Sequence, residues 1–155
     1  MKKNFFIIII SFGLLLSLNA ESLALQIDMP LTNVKSIYGN EQTTYIAEPY
    51  PKEDWDLICY HYDYFDIYAY RCQSTVNRIY IYADKYIGLI DNYYIHCGQT
   101  KNDIEKVFGS GSYEGKDKKG NDKYYYALTD FRELECFYNE NNVLSSFYYG
   151  YVNPE

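Results

Sequence analysis

In the stretch "IHCGQTKNDIEKVFGSG", residues 95–111, the apolar side chains Ile104, Val107 and Phe108 fall at i, i+3 and i+4. That spacing places them on one face of a helix. Both ends of the helix are marked in the sequence. Thr100 suits the N-cap, and Asp103 three residues later completes a pattern resembling a capping box. Gly109 suits the left-handed residue that closes a helix. A helix this short is not stable alone, so its apolar face requires a sheet beneath it. Elsewhere the pattern alternates. In "RELECF" Leu134 and Cys136 alternate with Glu133 and Glu135, as in a half-buried strand. Strands are predicted near residues 55–62, 66–72 and 76–82, with "DYFD" and "QST" as turns, and near 123–129, 133–138 and 143–149, with "TDFR" and "NENN" as turns. "KYIGLI" adds a further candidate strand. Short turns make neighbouring strands antiparallel. The polar, glycine-rich "SGSYEGKDKKGND" is expected to be a mobile loop.

The helical pattern occurs twice. "VKSIYGN" (residues 34–40) matches "IEKVFGS" (104–110), so that Val34, Ile37, Tyr38 and Gly39 repeat Ile104, Val107, Phe108 and Gly109. Downstream, "YDYFDIYAYRCQSTVNRIYIY" (62–82) aligns without a gap with "TDFRELECFYNENNVLSSFYY" (129–149). The expected fold class is therefore α+β: two tandem repeats of a short helix followed by a three- to four-stranded antiparallel sheet. The expected boundaries are 25–92 and 93–155.

An antiparallel sheet often packs one face and leaves the other wet. Glu133 and Glu135 should mark the outer face. Carried through the repeat, that phase turns Leu57, Cys59, Ile79 and Ile81 inward. It turns Tyr60, Tyr62, Tyr68, Tyr70, Arg78, Tyr80 and Tyr82 outward, with Tyr125, Phe137, Phe147 and Tyr149 from the second unit. A contiguous aromatic face of this kind marks an interface, where Tyr and Arg are favoured. The acidic, aromatic turn from Asp63 through Tyr64 to Asp66 belongs to the same candidate surface. The chain has 21 tyrosines. Two explanations compete: drift toward A/T-rich codons, and selection for a rigid amphipathic contact surface. Drift accounts for the number but not for where the rings fall.

Residues 1–20, "MKKNFFIIIISFGLLLSLNA", have the basic, apolar and small-residue order of a secretory signal peptide, with cleavage after Ala20 or Ala24. No cysteine precedes Cys59, so the segment is not a lipoprotein signal. No stable membrane anchor is expected after cleavage, and the protein is expected to be periplasmic or extracellular. The formal net charge of -7 argues against a nucleic-acid partner. Four cysteines, Cys59, Cys72, Cys97 and Cys136, suggest disulfides in an exported chain. Three pairings are possible, and Cys59–Cys72 with Cys97–Cys136 is preferred.

The run "YYIHCGQTKNDIEKVFG", with Gly98, Gln99 and Thr100 in a Gly-x-Thr position and Gly109 after the helix, resembles a pattern of two related groups. One is the beta-lactamase inhibitor protein family, and the other is the small lipoprotein of the outer-membrane barrel-assembly machinery (the SmpA/OmlA family). The tandem arrangement is more similar to the inhibitors, which grip another protein on a concave sheet. That resemblance implies protein binding by aromatic residues of the sheet face and by strand turns. Gln99 departs from the usual Met, and the first unit lacks Gly-x-Thr. The missing lipobox argues against an anchored assembly lipoprotein.

Catalytic signals are weak. His61 and His96 are the two histidines, one among tyrosines and one beside Cys97. There is no phosphate loop, nucleophile elbow or HExxH motif. No enzyme activity, metal or other cofactor is expected. The expected function is non-enzymatic binding of another protein, in the most specific form inhibition of a secreted or periplasmic enzyme. The alternatives are a structural part of an envelope assembly and carbohydrate or peptidoglycan binding.

Overall fold

The computed structural model describes residues 24–129 and 131–152; the expected signal segment, residues 1–20, lies outside them. The capped helix forms as α2, Lys101–Phe108, and its echo as α1, Leu31–Tyr38. In α2 the Thr100 side chain accepts from the Asp103 N–H, the Asp103 carboxylate accepts from the Thr100 N–H, and Gly109 closes the helix at φ 79°. No side chain caps α1, whose N-cap position is Pro30. Each helix buries a single residue, Val34 or Ile104. Tyr38 and Phe108 pack partly against the same core. Ile37 and Val107 remain largely exposed.

The strands are β1 Thr43–Glu48, β2 Leu57–His61, β3 Phe65–Tyr70, β4 Arg78–Ile81, β5 Ile87–Ile90, β6 Tyr93–His96, β7 Ser112–Lys116, β8 Asp122–Thr129, β9 Arg132–Tyr138 and β10 Leu144–Tyr151. Eight of them make one antiparallel sheet in the order β1-β2-β3-β4-β10-β9-β8-β7, and β5 pairs with β6 as a separate hairpin. The two small sheets expected from the sequence are thus one. Their last strands, β4 and β10, pair antiparallel at the centre with Tyr80 opposite Tyr148. The "SGSYEGKDKKGND" stretch is not simply a loop. Its first part is β7, which pairs with β8, and β1 supplies the corresponding outer strand at the other end.

One face of the sheet is covered. Val34 and Ile104 from the helices, Ile90 and Ile95 from the hairpin, and Leu25 and Met29 from the segment before α1 join Ile67, Ile79, Ile81, Leu134, Cys136, Phe147 and Tyr149 in one core. The hairpin lies close on β10. A Cβ added at Gly88 would meet the Phe147 ring at 2.9 Å. Leu25 extends this layer, bridging Gly88 in parallel, donating from its N–H to the Ile87 carbonyl and accepting from the Leu89 N–H.

The expected disulfides do not form, and all four cysteines carry free thiols. For Cys59–Cys72 the chain path gives the reason. Cys59 lies opposite Tyr68, whereas Cys72 lies in the turn beyond β3 and its N–H donates to the Asp54 carbonyl, on the far side of Leu57 from Cys59. A disulfide needs Cα atoms within roughly 7 Å. Cys97 points its thiol at the Ser145 carbonyl, 3.2 Å away. Burial pushes the Cys97 thiol up to about 11 and the Cys136 thiol up to about 12.

Candidate functional site

Strand pairing sorts side chains by face, because directly opposed residues share a side. The row Cys59, Tyr68, Arg78, Gly150, Glu133, Ala127 crosses the sheet. So does the row His61, Asp66, Tyr80, Tyr148, Glu135, Tyr125. Both rows lie opposite the core face. Neither α1, α2 nor the β5–β6 hairpin joins the side chains of this face, although Cys59, Asp66 and Arg78 within it are buried; this is the open face anticipated from Glu133 and Glu135.

The aromatic groups on this face pack on one another. Tyr68 meets Tyr148 edge-on at 6.5 Å between ring centroids. Tyr80 touches Tyr82 at 5.4 Å and Phe137 at 6.2 Å, and its hydroxyl donates to the Ser146 hydroxyl at 3.2 Å. Tyr68, Tyr80, Tyr82, Tyr125, Phe137 and Tyr148 are all half-buried, so each presents part of a ring to solvent. Burial raises the phenol pKa of Tyr68 and Tyr148 far above the ordinary range, and that of Tyr82 to about 12. The hydroxyls of Tyr68, Tyr82 and Tyr148 are therefore neutral hydrogen-bonding groups at any physiological pH.

Arg78 sits at the middle of the face and is itself buried among the rings. Its Nη1 donates to Glu48 at 2.8 Å, while its Nε is buried without a hydrogen-bond partner. Gly150 makes room for it. A Cβ at position 150 would lie 2.5 Å from Arg78 Cγ, so the stem of the arginine lies flat across β10. Beyond Gly150 comes Glu133, whose carboxyl is raised by burial and then by Glu135. Lys123 bridges Glu135 and Glu114 at 2.9 Å each. The β1–β4 half of the face is thus aromatic around one arginine, and the β7–β10 half is aromatic with an acidic excess.

The predicted residues divide. Tyr68, Tyr80, Tyr82 and Arg78 lie on the open face as expected, and so do Tyr125 and Phe137. Tyr70 lies there too but is 8% exposed, under the edges of Tyr50 and Trp55 at 6.1 and 5.8 Å. Asp63 and Tyr64 are exposed in the β2–β3 turn, where the Gln42 amide donates to the Asp63 carboxylate. Four placements are corrected. Tyr60 lies opposite Ile67, on the core side. Tyr62 is 5% exposed and stacks on Phe65 at 4.5 Å. Phe147 and Tyr149 are buried in the core at 0% and 1% exposure. The cause in β10 is a shift of register between Leu144 and Ser146. An extra residue there reverses every later side chain, so Tyr148 replaces its two neighbours on the open face. In β2, Leu57 and Cys59 face the open side rather than the core, yet both are buried. Tyr70 and Tyr45 stand beside them in the sheet.

Tyr45 and Tyr148 lie on the open face, and Tyr50 and Trp55 beside it, without being expected there from the strand phase. Tyr50, Pro51, Lys52 and Trp55 line a pocket in the β1–β2 connection, at the end of the open face where Tyr50 and Trp55 pack on Tyr70. Trp55, the one tryptophan of the chain, is 49% exposed, and an exposed tryptophan was the available signal. His61 Nδ1 lies 2.7 Å from Asp66 Oδ1. Burial raises the Asp66 carboxyl and His61 offsets part of that rise. Among the described residues no group of three metal-ligating side chains converges, and no helix is long and apolar enough to cross a membrane.

No family model and no curated protein matches the chain. Three solved structures are similar to it in chain trace. A DUF4309 family protein from Bacillus subtilis has 11% identity and a TM-score of 0.47 over 79% of this chain and 78% of that one. An extracellular protein containing an SCP domain from Bacillus anthracis has 11% identity and a TM-score of 0.49 over 83% and 50%. A cysteine-rich secretory protein from Staphylococcus aureus has 10% identity and a TM-score of 0.48 over 80% and 44%. The chain spans half or less of the length of the last two.

Proposed function

We propose that this chain is an exported, non-enzymatic module that binds another protein through the open face of its sheet. The observation that carries this reading is the uncovered, contiguous set Tyr68, Tyr80, Tyr82, Tyr125, Phe137 and Tyr148 around Arg78. Half-buried tyrosines and a central arginine have the composition of binding hot spots, and rings already packed on one another lose little freedom when a partner settles on them. The matching order of helix and four-strand meander in each half supports reading the chain as two copies of one unit. The resemblance to the beta-lactamase inhibitor proteins then narrows the partner to a secreted or periplasmic enzyme that this chain inhibits.

The test is a pull-down from the native envelope and culture fluid with the chain beginning at Glu21, alongside a variant carrying Tyr80→Ser, Tyr82→Ser and Phe137→Ser. One enriched hydrolase, lost with the variant and inhibited by the parent chain, is the expected result. Retention by the variant, with its circular dichroism unchanged, would show that the open face is not the binding surface. A second reading has its own observation in the Trp55 pocket: aromatic walls also suit the apolar face of a sugar ring. Binding to purified peptidoglycan that is lost with Trp55→Ala and kept with the triple variant would favour it.

A further inference from the structure

We infer that β1 is a self-association edge, along which two copies of this chain pair antiparallel and join their sheets into one. The two edges of the sheet are unlike. The β7 edge has devices that block strand addition: a register shift between Tyr113 and Gly115, Gly115 at φ 110°, and the charged residues Glu114 and Lys116, of which Lys116 is tied to Asp122 at 2.6 Å. Natural sheets protect their edges in these ways. The β1 edge carries almost none of them. Residues Thr43–Ala47 include no charge and no proline. Their pairing is regular as far as Ile46, and the one irregularity comes at the Glu48 end. Tyr45 and Ile46 stand 51% and 49% exposed, each on a different side of the strand. Among the described residues no backbone hydrogen bond runs from Thr43–Ala47 to a segment beyond β2. The outer row of N–H and C=O groups is a free template.

The strand's own composition selects a second copy as the occupant. Paired strands place opposed residues on the same side of the sheet. A two-fold axis that keeps both open faces on one side must therefore pass through a residue. Centred on Tyr45, it sets Tyr45 against Tyr45 of the second copy, Thr44 against Ile46 and Thr43 against Ala47. No charges oppose one another within Thr43–Ala47, and the two exposed apolar residues become covered. The joined sheet carries both aromatic faces on the same side. A contact this small falls below the roughly 1,200 Å² of a tight interface, so the dimer is weak and depends on concentration. This inference does not rest on the function proposed for the open face.

Sedimentation equilibrium of the chain beginning at Glu21 tests it. The expected result is a reversible monomer–dimer equilibrium that Ile46→Lys abolishes, with circular dichroism and thermal midpoint unchanged. A monomer at every concentration, or a dimer that survives Ile46→Lys, overturns it. A second experiment reports geometry. In a chain carrying Cys59→Ala and Cys72→Ser, Tyr45→Cys should give an air-oxidised, reducible dimer. Thr43→Cys should not, because the two Thr43 Cα atoms would lie on the order of 13 Å apart along the strands. Equal cross-linking at both positions, or none at Cys-substituted position 45, overturns the proposed register.

Discussion

At the scale of single residues the open face is held by compromises that titration can detect. Glu133 is the clearest. Burial raises its carboxyl, and Arg78 and Lys123 lower it by less. A carboxyl whose folded pKa lies above its unfolded value binds its proton more tightly in the native state. Stability therefore falls as pH rises from the unfolded pKa through the folded one, and stays lower above it. Glu133→Gln should raise the thermal midpoint at pH 7, by about 1–3 °C for a domain of this size. The gain should disappear below about pH 4, where glutamate is protonated in either state. A gain that persists at low pH would assign the effect to something other than the charge. Arg78 shows the opposite arrangement: Glu48 and the missing Cβ of Gly150 let a cation lie within the sheet surface.

At the scale of elements the two helices differ in their ends more than in their packing. Each places one residue fully in the core, but α2 has both halves of its capping box and α1 has no side-chain cap. Thr100→Ala should lower unfolding free energy by about 1 kcal/mol, read from the urea midpoint with the slope unchanged. Thr100→Ser should restore most of it, since the hydroxyl still accepts from the Asp103 N–H. A loss no larger than experimental error would mean that packing of Ile104 alone holds the helix. The strands make the complementary point. The outward phase inferred for β3, β4 and β9 holds in the structure, because there charged or isoleucine positions distinguish the faces. In β10 the phase reversed at the Leu144–Ser146 irregularity. The run "SSFYYGY" has aromatic residues on both sides, so it carried no sign of the reversal.

At the scale of the whole molecule the segment before α1 is a working part of the core layer. Ala24 and Leu25 are both 0% exposed, and the Leu25 N–H donates to Ile87. Cleavage after Ala20 would keep that nitrogen an amide, whereas cleavage after Ala24 would make it an amine in a buried site. A buried amine has its pKa depressed, so its cost is felt below the unfolded value of about 7.8 and vanishes above it. A chain beginning at Leu25 should therefore be less stable than one beginning at Glu21 at pH 7, by about 1 kcal/mol from deprotonation alone. On raising the pH from 7 to 9, the gap should narrow by that amount. Equal stabilities at both pH values would mean that the terminus is accommodated in water.

The sequence by itself determined the local features. Thr100, Asp103 and Gly109 define α2 because caps act within a few residues, and Leu134 and Cys136 against Glu133 and Glu135 define β9 because alternation is a local property. The doubled pattern likewise announced two helices with antiparallel strands after each. Only the tertiary structure decided that the strands form one sheet, since pairing β4 with β10 joins residues such as Tyr80 and Tyr148 that lie far apart in the chain and leaves no mark in either strand. Only it placed β1 and β7 at the edges, where short polar or mixed strands owe their state to a neighbour. It also decided which tyrosines remain in contact with water. A tyrosine serves equally well in a core or on a surface, and what separates Tyr148 from Tyr149 is one extra residue in β10 and the helices and hairpin that cover one side.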